Sequence, residues 1–243
     1  MRIDAEGLRH RSLNEQIHAA VDQGTANITV DNLRGQRYLG AGLNAPTRLT
    51  LNGVPGNDLG VFMNGAELIV NGNVQDGVGN TMNAGKITVH GRAGDVLAHS
   101  MRGGKVFVRG DVGYRAGIHM KAYHERFPVV IIGGTAGDYL GEYMAGGLLV
   151  VLDLADSKQT PLGACVGTGM HGGTIFLQGR VEAHQLGREV GLDTPGAEDW
   201  TVLKPLLTEF CADFSLDPAQ LRPDDFVRLS PKSRRPYGNL YAY

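Results

Sequence analysis

A small number of residues in this 243-residue chain have types and positions that could support nucleophilic or metal chemistry. Cys165 lies among small residues, and Ser100 is outside any GxSxG motif, so neither has the neighbours that activate a nucleophile. His119, His124 and His171 fall in predicted loops, without a carboxylate or further histidine at metal-ligand spacing. We therefore expect Cys165 to be a buried small residue and the histidines to face solvent or a partner.

Aspartates form the most regular candidate row for chemistry. They precede the small residues of successive predicted corners at Asp58, Asp76, Asp95 and Asp138, with Asp111 nearby. On a stack of coils, such a row could be a catalytic or Ca²⁺-binding face. Aspartate also accepts hydrogen bonds from backbone N–H groups in glycine-rich turns. We favour turn capping as the role of this row.

Two glycine-rich stretches match the fingerprint of dinucleotide-binding loops. Residues 167–172 match GxGxxG, and residues 40–45 match GxGxxA. A dinucleotide-binding loop lies between a strand and the helix that it opens. Here each motif is followed by another predicted strand, so we reject the dinucleotide interpretation.

The overall composition excludes several classes of function. Lys and Arg number 23 against 25 Asp and Glu, a net charge of -2, so binding to nucleic acid phosphates is not expected. Two cysteines without a CxxC motif are too few for an iron–sulfur or zinc site in this chain. The sequence has no apolar signal core and no stretch near the ~18 apolar residues of a membrane span. We expect a cytoplasmic protein without a metal or cofactor of its own, bound to neither nucleic acid nor membrane.

An internal repeat determines the predicted fold. All methionines except Met1 occupy the same place in a glycine-rich context, and Leu43 takes that place in a further copy. From Met63 to Met120 the methionines are 19 residues apart, and later spacings grow to 24 and 26 where polar insertions at 121–127 and 153–160 interrupt the period. The repeated methionines are Met63, Met82, Met101, Met120, Met144 and Met170.

Each period also contains a short β-branched apolar run that predicts a strand. One strand per regular period favours parallel stacking, since hairpins would need alternating strand directions. Parallel crossovers are right-handed. We therefore predict an all-β fold: a right-handed parallel β-helix of about seven coils of ~19–20 residues, with the methionines as an internal ladder. The predicted strands are residues 27–30, 48–51, 67–70, 86–89, 105–108, 129–132, 148–151 and 174–177.

The flanking segments predict a cap at each end of the β-helix. Residues 12–23 have helical apolar spacing, a capping box from Ser12 to Glu15, and Gly24 as a stop. The predicted domains are an N-terminal helix cap (1–24), the β-helix (25–180) and a C-terminal helical extension with a docking tail (181–243).

The C-terminal extension predicts several further features. A short helix is expected near 182–190, and a longer one from Trp200 to Phe210 with Pro205 in its first turn or at a kink. Asp217 and Pro218 predict the start of another turn. The tail has the arginine and tyrosine content of interface anchors, and insertions 121–127 and 153–160 are weaker candidates for the same role. The predicted partner contacts are Arg234, Arg235, Tyr237, Tyr241 and Tyr243.

The glycine-rich corners resemble the GXGXG domain at the C-terminal end of the large subunit of glutamate synthase. The likeness spans about residues 25–180 and includes the Glu-Tyr-Met-x-Gly-Gly stretch at 142–147. In that family the domain is a right-handed parallel β-helix that joins a glutaminase domain to an FMN and iron–sulfur synthase domain, and it has no catalytic residues. The matching stretches lie at 76–79, 85, 95, 103–104, 137–141, 142–147 and 169–173.

The resemblance implies a non-catalytic scaffold subunit of a glutamate-synthase-like complex, of the N-methylglutamate synthase type. Its partners would be a class II glutaminase-like subunit and an FMN-dependent synthase subunit that carries the FMN and the iron–sulfur cluster. The chain begins with Met1 and Arg2, whereas a class II glutaminase begins with a catalytic cysteine. Three alternatives stay open: the C subunit of a formylmethanofuran dehydrogenase or formyltransferase/hydrolase complex, a self-sufficient carbohydrate-active β-helix, and a homo-oligomeric structural module.

Overall fold

The computed structural model describes residues 1–155 and 161–233, which form one extended sheet with two flanking α-helices. The sheet strands are β1 (Arg2–Asp4), β2 (Asn27–Arg34), β3 (Arg48–Val54), β4 (Asn64–Asn71), β5 (Ala84–Val89), β6 (Gly104–Val108), β7 (Pro128–Ile132), β8 (Ala145–Val151), β9 (Gly172–Gln178), β10 (Val190–Asp193) and β11 (Phe226–Pro231). The helices are α1 (His10–Asp22) and α2 (Ala197–Asp213). Among the described residues, neither helix has the length and apolar character needed to cross a membrane.

The strands stack in parallel in the order of the sequence from β1 to β9, and each pairs with the next. All eight apolar runs predicted as strands are strands, and the parallel β-solenoid is confirmed. The solenoid has about six turns rather than seven. A complete turn runs from one corner to the next, so seven corners delimit six complete turns.

Identical positions of successive repeats form ladders inside the solenoid. Leu49 pairs with Leu68, Leu68 with Ile87, and Ile87 with Val106, and all four side chains are fully buried. The six repeated methionines are likewise buried without exposed surface, which confirms the predicted internal ladder. The flexible thioether fills the narrow interior that the turns leave between strands. The sequence repeat therefore becomes a continuous apolar core along the axis.

The N-terminal end differs in detail from the prediction. Helix α1 begins at His10, so Ser12 lies inside its first turn and the predicted capping box is wrong. Packing determines the helix start, since Leu13 and Ile17 are fully buried against the first coil. The helix ends before Gly24, as predicted. Strand β1, which the sequence did not indicate, pairs in parallel with β2 and covers its edge.

The C-terminal end also departs from the predicted helical extension, because it contains two strands. Strand β11 pairs antiparallel with β9, and β10 pairs antiparallel with β11. The helix predicted near 182–190 is a single 3-10 turn at Ala183–Gln185, followed by β10. Pro205 lies inside α2, beyond its first turn, where it removes the backbone hydrogen bond to Thr201. Asp217 caps the 3-10 turn Pro218–Gln220 by accepting from Ala219 N at 2.9 Å, as predicted.

Helix α2 builds a second core on the outer face of the sheet. Phe210 is fully buried and meets the rings of Phe107 and Phe214 edge-on, at centroid distances of 5.6 and 4.7 Å. Outward side chains of β6 to β9 and β11 complete this cluster. The outward position alternates between Thr and Ile on β3 to β5 and is apolar on every strand from β6 to β9, so the later strands offer a continuous apolar surface for a helix.

Ion pairs at the edge of the second core predict a pH response. Burial alone would raise the pKa of Glu209, but hydrogen bonds from Lys105 and Lys86 outweigh it and hold that pKa below its ordinary value. The pKa of this carboxyl in the unfolded chain is 4.5, so the ion pairs stabilise the folded state fully at pH values above 4.5. This contribution to stability is lost as the pH falls through the lower pKa of the folded state. We expect urea midpoints of the wild type to fall below about pH 4.5 more steeply than those of Glu209→Gln. Parallel pH profiles of the two proteins would contradict this assignment.

Gln185 closes the C-terminal end of the solenoid. Its side chain is buried, and Nε2 donates to Leu162 O at 2.6 Å. Its Oε1 accepts from Glu182 N at 2.9 Å, and its backbone carbonyl accepts from Val166 N at 2.8 Å. These groups take the place of a further coil, whose backbone would otherwise pair with the Leu162 carbonyl and the Val166 N–H.

Replacing Gln185 with leucine is expected to lower the free energy of unfolding by about 1–3 kcal/mol. Leucine has similar volume but leaves the buried Leu162 carbonyl without this donor. Urea denaturation of the wild type and Gln185→Leu measures the change. Gln220→Leu is the matched control, because Gln220 is exposed and should shift the free energy by less than about 0.5 kcal/mol. Equal losses in the two variants would refute the capping role of Gln185.

Candidate functional site

Seven corners of the solenoid share one backbone conformation. In each corner, three residues at positions i, i+2 and i+4 have positive φ. Successive turns place the equivalent residues above one another and so form three left-handed columns. The first column is Tyr38, Asp58, Gly77, Val96, Arg115, Tyr139 and Cys165; the second is Gly40, Gly60, Gly79, Ala98, Gly117, Gly141 and Gly167; the third is Gly42, Phe62, Thr81, Ser100, His119, Tyr143 and Gly169. We call the surface formed by the first and third columns the corner face.

Glycine dominates the second column because this column faces the core. A Cβ on Gly60 would lie 2.7 Å from Ile87 Cδ1, and one on Gly117 would lie 2.7 Å from Leu149 Cδ1. The other two columns point outward and contain mostly larger residues. Each non-glycine residue in this conformation costs about 1–2 kcal/mol. Such strain persists where the surrounding structure enforces it, and it is common at functional surfaces.

Arg115 is the centre of a polar cluster on the corner face. Its Nε donates to Glu142 Oε2 at 2.9 Å, and its guanidinium carbon lies 4.6 Å from the ring centroid of Tyr139. The Glu142 carboxylate is largely buried, whereas the Arg115 side chain is 45% exposed. The ion pair neutralises the buried carboxylate, and the ring packs against the cation. Arg115 is therefore held in one orientation at the surface.

Histidines and a tyrosine continue the corner face on neighbouring turns. The rings of His119 and Tyr143 stack with centroids 5.3 Å apart, and His99 meets His119 edge-on at 6.0 Å. Partial burial, together with the nearby His119, lowers the pKa of His99 below its ordinary value. His99 Nδ1 lies 3.2 Å from Asn80 Oδ1. A lowered pKa means that acidification, which charges His99, opposes this packing.

The aspartate row caps backbone turns, as predicted. In four of its five members, the carboxylate lies beneath a glycine of the following coil and accepts the N–H of the residue after that glycine. Asp58 differs, because its Oδ1 accepts from the Asn80 side chain at 3.1 Å and it lies one column away. The capping bonds are Asp76 to Asp95 N (2.9 Å), Asp95 to Tyr114 N (2.8 Å), Asp111 to Thr135 N (3.0 Å) and Asp138 to Ala164 N (2.7 Å).

The capping role distinguishes two substitutions at Asp95. Alanine removes the acceptor of the Tyr114 N–H and is expected to cost about 0.5–2 kcal/mol of stability, as loss of a helix N-cap does. Asparagine keeps an acceptor oxygen and should cost less than about 0.5 kcal/mol, since Asn73 caps Arg92 N in the same way at 2.9 Å. Thermal or urea denaturation measures both. If Asp95→Asn is as damaging as Asp95→Ala, the carboxylate charge has another role.

The structure places the other predicted chemical residues apart. Cys165 is partly exposed rather than buried, because its column faces outward. His119 and His124 are exposed as expected, whereas His171 is partly buried and its Nδ1 lies 3.2 Å from Gly169 O. Ser100 Oγ lies 3.5 Å from His99 Nε2. In the described ranges, no three His, Cys, Asp or Glu side chains are grouped so that they could bind a metal ion.

A shallow cavity of about 260 Å³ opens on the corner face. Asp58, Asp76, Asn80, Val96 and His99 line it. Its carboxylates already accept hydrogen bonds from this chain, so the cavity presents mainly polar groups with structural partners. The predicted tail contacts Arg234, Arg235, Tyr237, Tyr241 and Tyr243 lie outside the described residues.

The Arg115–Glu142 pair and the columns of left-handed residues were not predicted from the sequence. Alternating glycines at Gly77 and Gly79, and again at Gly167 and Gly169, were a signal for positive φ at every second residue. The pair spans 27 positions because insertion 121–127 lengthens one repeat. Removing that insertion from the count brings Arg115 and Glu142 onto adjacent turns.

Comparison with known families agrees with this geometry. The model of the GXGXG motif family matches residues 10–232. The chain belongs to the GXGXG motif family. Its alternating left-handed positions are the structural counterpart of the family's motif, in which every second residue is glycine.

Two individual proteins extend the comparison of this GXGXG chain. An uncharacterized protein of Methanocaldococcus jannaschii is 46% identical over 250 aligned positions, which cover 99% of this chain and 95% of that protein. A chain in the crystal structure of the formyltransferase/hydrolase complex of Methylorubrum extorquens, solved with methylofuran, superposes with a TM-score of 0.62. That match covers 90% of this chain and 86% of the other at 21% identity, and at this identity it shows a shared fold.

Proposed function

We propose that this chain is a non-catalytic scaffold subunit of a cytoplasmic glutamate-synthase-like complex, of the N-methylglutamate synthase type. It links a class II glutaminase-like subunit to an FMN-dependent synthase subunit. The observation that carries the proposal is the use of the regular aspartate row. Asp76, Asp95, Asp111 and Asp138 cap the chain's own turns, so the polar repeat builds the scaffold instead of a substrate groove.

The shape of the solenoid suits a spacer between two active sites. Eight parallel strands from β2 to β9, at about 4.8 Å per step, give a body about 34 Å long. Both ends are closed by different elements, α1 with β1 at one end and Gln185 with β11 at the other. A rigid body of this length can hold two partner subunits in fixed register and wall a passage between them.

Cofactors in this proposal belong to a partner subunit. FMN and an iron–sulfur cluster are assigned to the synthase chain. The placement of the two cysteines of the present chain supports this assignment, because Cys165 lies on the corner face and Cys211 is a buried residue of α2 in the second core. Cluster ligation needs several thiolates at one point, and these two are on separate parts of the fold.

A specific observation favours a second candidate. The superposition on a chain of the formyltransferase/hydrolase complex covers 90% of this chain. In this alternative the chain is the C subunit of a formylmethanofuran dehydrogenase or formyltransferase/hydrolase complex. The scaffold role is the same in both candidates, and only the partner enzymes differ.

Purification of the tagged chain from its native host tests the proposal. Mass spectrometry identifies co-purified chains, and an absorption spectrum of the eluate detects flavin and iron–sulfur chromophores. A glutaminase-like chain and a yellow-brown synthase chain are expected, with glutamine-dependent turnover of ammonia or methylamine. Formyltransferase-type partners in a colourless eluate would favour the alternative. A chain recovered alone would overturn both.

A further inference from the structure

The insertion at 121–127 forms a small, ordered hairpin on the side of the solenoid. Tyr123 N donates to Arg126 O and Arg126 N donates to Tyr123 O, both at 3.0 Å, which closes a tight turn. The ring of Tyr123 packs edge-on against His124 at a centroid distance of 4.2 Å. His124 has a φ of 53°, the left-handed conformation that such a turn requires. The insertion therefore has a defined shape of its own.

Contacts with three neighbouring turns hold the hairpin against the solenoid. Arg126 Nη1 donates to Asn83 Oδ1 at 3.1 Å. A Cβ on Gly103 would lie 2.8 Å from the Cβ of Arg126, and one on Gly146 would lie 2.8 Å from Ala122 N. The absence of side chains at these glycines lets the hairpin lie close to the coils. A surface fixed in this way loses little conformational freedom when it binds a partner.

The hairpin exposes two aromatic side chains in a stretch of seven residues. Tyr123 and Phe127 are each 51% exposed. Large aromatic side chains are enriched among the residues that dominate protein interfaces, and their exposure on a rigid hairpin is unfavourable in water. The exposed rings provide the apolar part of a docking surface.

Cationic residues adjoin these aromatic residues in the hairpin and on the neighbouring turn. Lys121 follows Arg102 at the equivalent position of the next turn, where Lys121 N donates to Met101 O at 3.0 Å. Both side chains are exposed, and within the described ranges neither they nor Arg126 form an ion pair. Like charges side by side on adjacent strands or turns repel each other. Glu125 is the nearby acidic residue in the sequence of the hairpin, so the cations outnumber it.

We propose that Arg102, Lys121, Tyr123, Arg126 and Phe127, the hairpin patch, bind an acidic surface of a partner protein subunit. The rings enter an apolar depression of the partner, and the cations pair with its carboxylates. Charge complementarity carries the choice of an acidic occupant, because Arg102, Lys121 and Arg126 form no ion pair with the described residues. This inference rests on the scaffold role proposed above.

The experiment uses the complex purified through a tag on this chain. Hydrogen–deuterium exchange is compared between the complex and the chain alone, and a carbodiimide joins amines to carboxylates that are in contact. We expect amides of 121–127 to exchange at least tenfold more slowly in the complex. We also expect Lys121 to be joined to an Asp or Glu of a partner chain.

Matched variants separate the patch from general effects of charge. Arg102→Glu with Lys121→Glu should lower partner recovery at least tenfold, and Tyr123→Ser with Phe127→Ser should do the same without a charge change. The control is Arg34→Glu with Arg109→Glu, two exposed arginines at other positions of the coil. Partner recovery should be unchanged in the control. Far-UV circular dichroism of each free variant verifies the fold.

Each outcome has a separate meaning. Loss of partner recovery in the patch variants alone, with protection of 121–127, supports the inference. A complex that assembles equally well with the patch variants, and leaves 121–127 unprotected, overturns the inference while the scaffold role stands. A wild-type chain recovered without any partner overturns both the inference and the scaffold role.

Discussion

Replacing Gly85 with alanine is expected to destabilise the solenoid by about 3 kcal/mol or more. Gly85 has a φ of +102°, which L side chains rarely adopt. A Cβ there would collide with the backbone carbonyl oxygen of Ala66 and lie 3.1 Å from Ala66 N. Both atoms belong to the stacked coil below, so the collision is relieved only by separating two turns. Urea denaturation followed by far-UV circular dichroism measures the loss.

Gly42→Asn is the matched control for Gly85→Ala. Gly42 also has positive φ, but a Cβ there would meet nothing within 4 Å. Its column already contains Phe62, Thr81 and Ser100 in the same conformation, and asparagine tolerates that conformation well. We expect a change below about 1 kcal/mol. Similar losses in both variants would show that positive φ alone, rather than contact between coils, makes glycine necessary.

Replacing Phe210 with alanine is expected to lower the free energy of unfolding by about 3–5 kcal/mol. Phe210 is fully buried between α2 and the outer face of the sheet, so its removal leaves a large cavity in the second core. The internal core of the solenoid lies on the other side of the strands and keeps its own contacts. Phe210→Ala should therefore mainly weaken the packing of α2 against the sheet and leave the stability of the solenoid core nearly unchanged.

The single tryptophan makes this loss visible. Trp200 lies in α2, and its ring meets Phe226 at a centroid distance of 5.4 Å. In Phe210→Ala, we expect tryptophan fluorescence to change at a lower urea concentration than far-UV circular dichroism. Val202→Ala is the control, because Val202 is 49% exposed on the same helix and should shift stability by less than about 0.5 kcal/mol. Coincident transitions in Phe210→Ala would contradict independent docking of α2.

The sequence predicted the solenoid because every repeat contributes the same information. A methionine, a strand and a glycine corner recur at nearly constant spacing, so an error in one repeat is corrected by its neighbours. Asp76, Asp95 and Asp138 were placed correctly for a similar reason, whereas Asp58 lies one column away from them. The capping role of Asp76 and Asp95 follows from the short reach of aspartate to a backbone N–H above glycine.

The ends and the corner face were harder to predict because they occur once or depend on tertiary contacts. Strand β11 pairs with β9 from 48 residues away, and no local pattern specifies that partner. Positive φ at Val96 runs against the intrinsic preference of a β-branched residue and is imposed by the stacked turns. Cys165 was expected to be buried from its small neighbours, but column geometry turns it outward. The interface residues of the tail stay a prediction.

The direction of the aspartate bonds has a consequence for biosynthesis. Each carboxylate reaches from a coil to the backbone of the coil that follows it in the chain. During translation, a new coil therefore meets an acceptor that already exists on the nascent protein. At 5–20 residues per second, a coil of 19 residues is completed roughly every 1–4 s, slowly enough for each to stack before the next emerges. The molecule can grow from α1 as a template, one layer at a time, until Gln185 and β11 arrive last and end the growth.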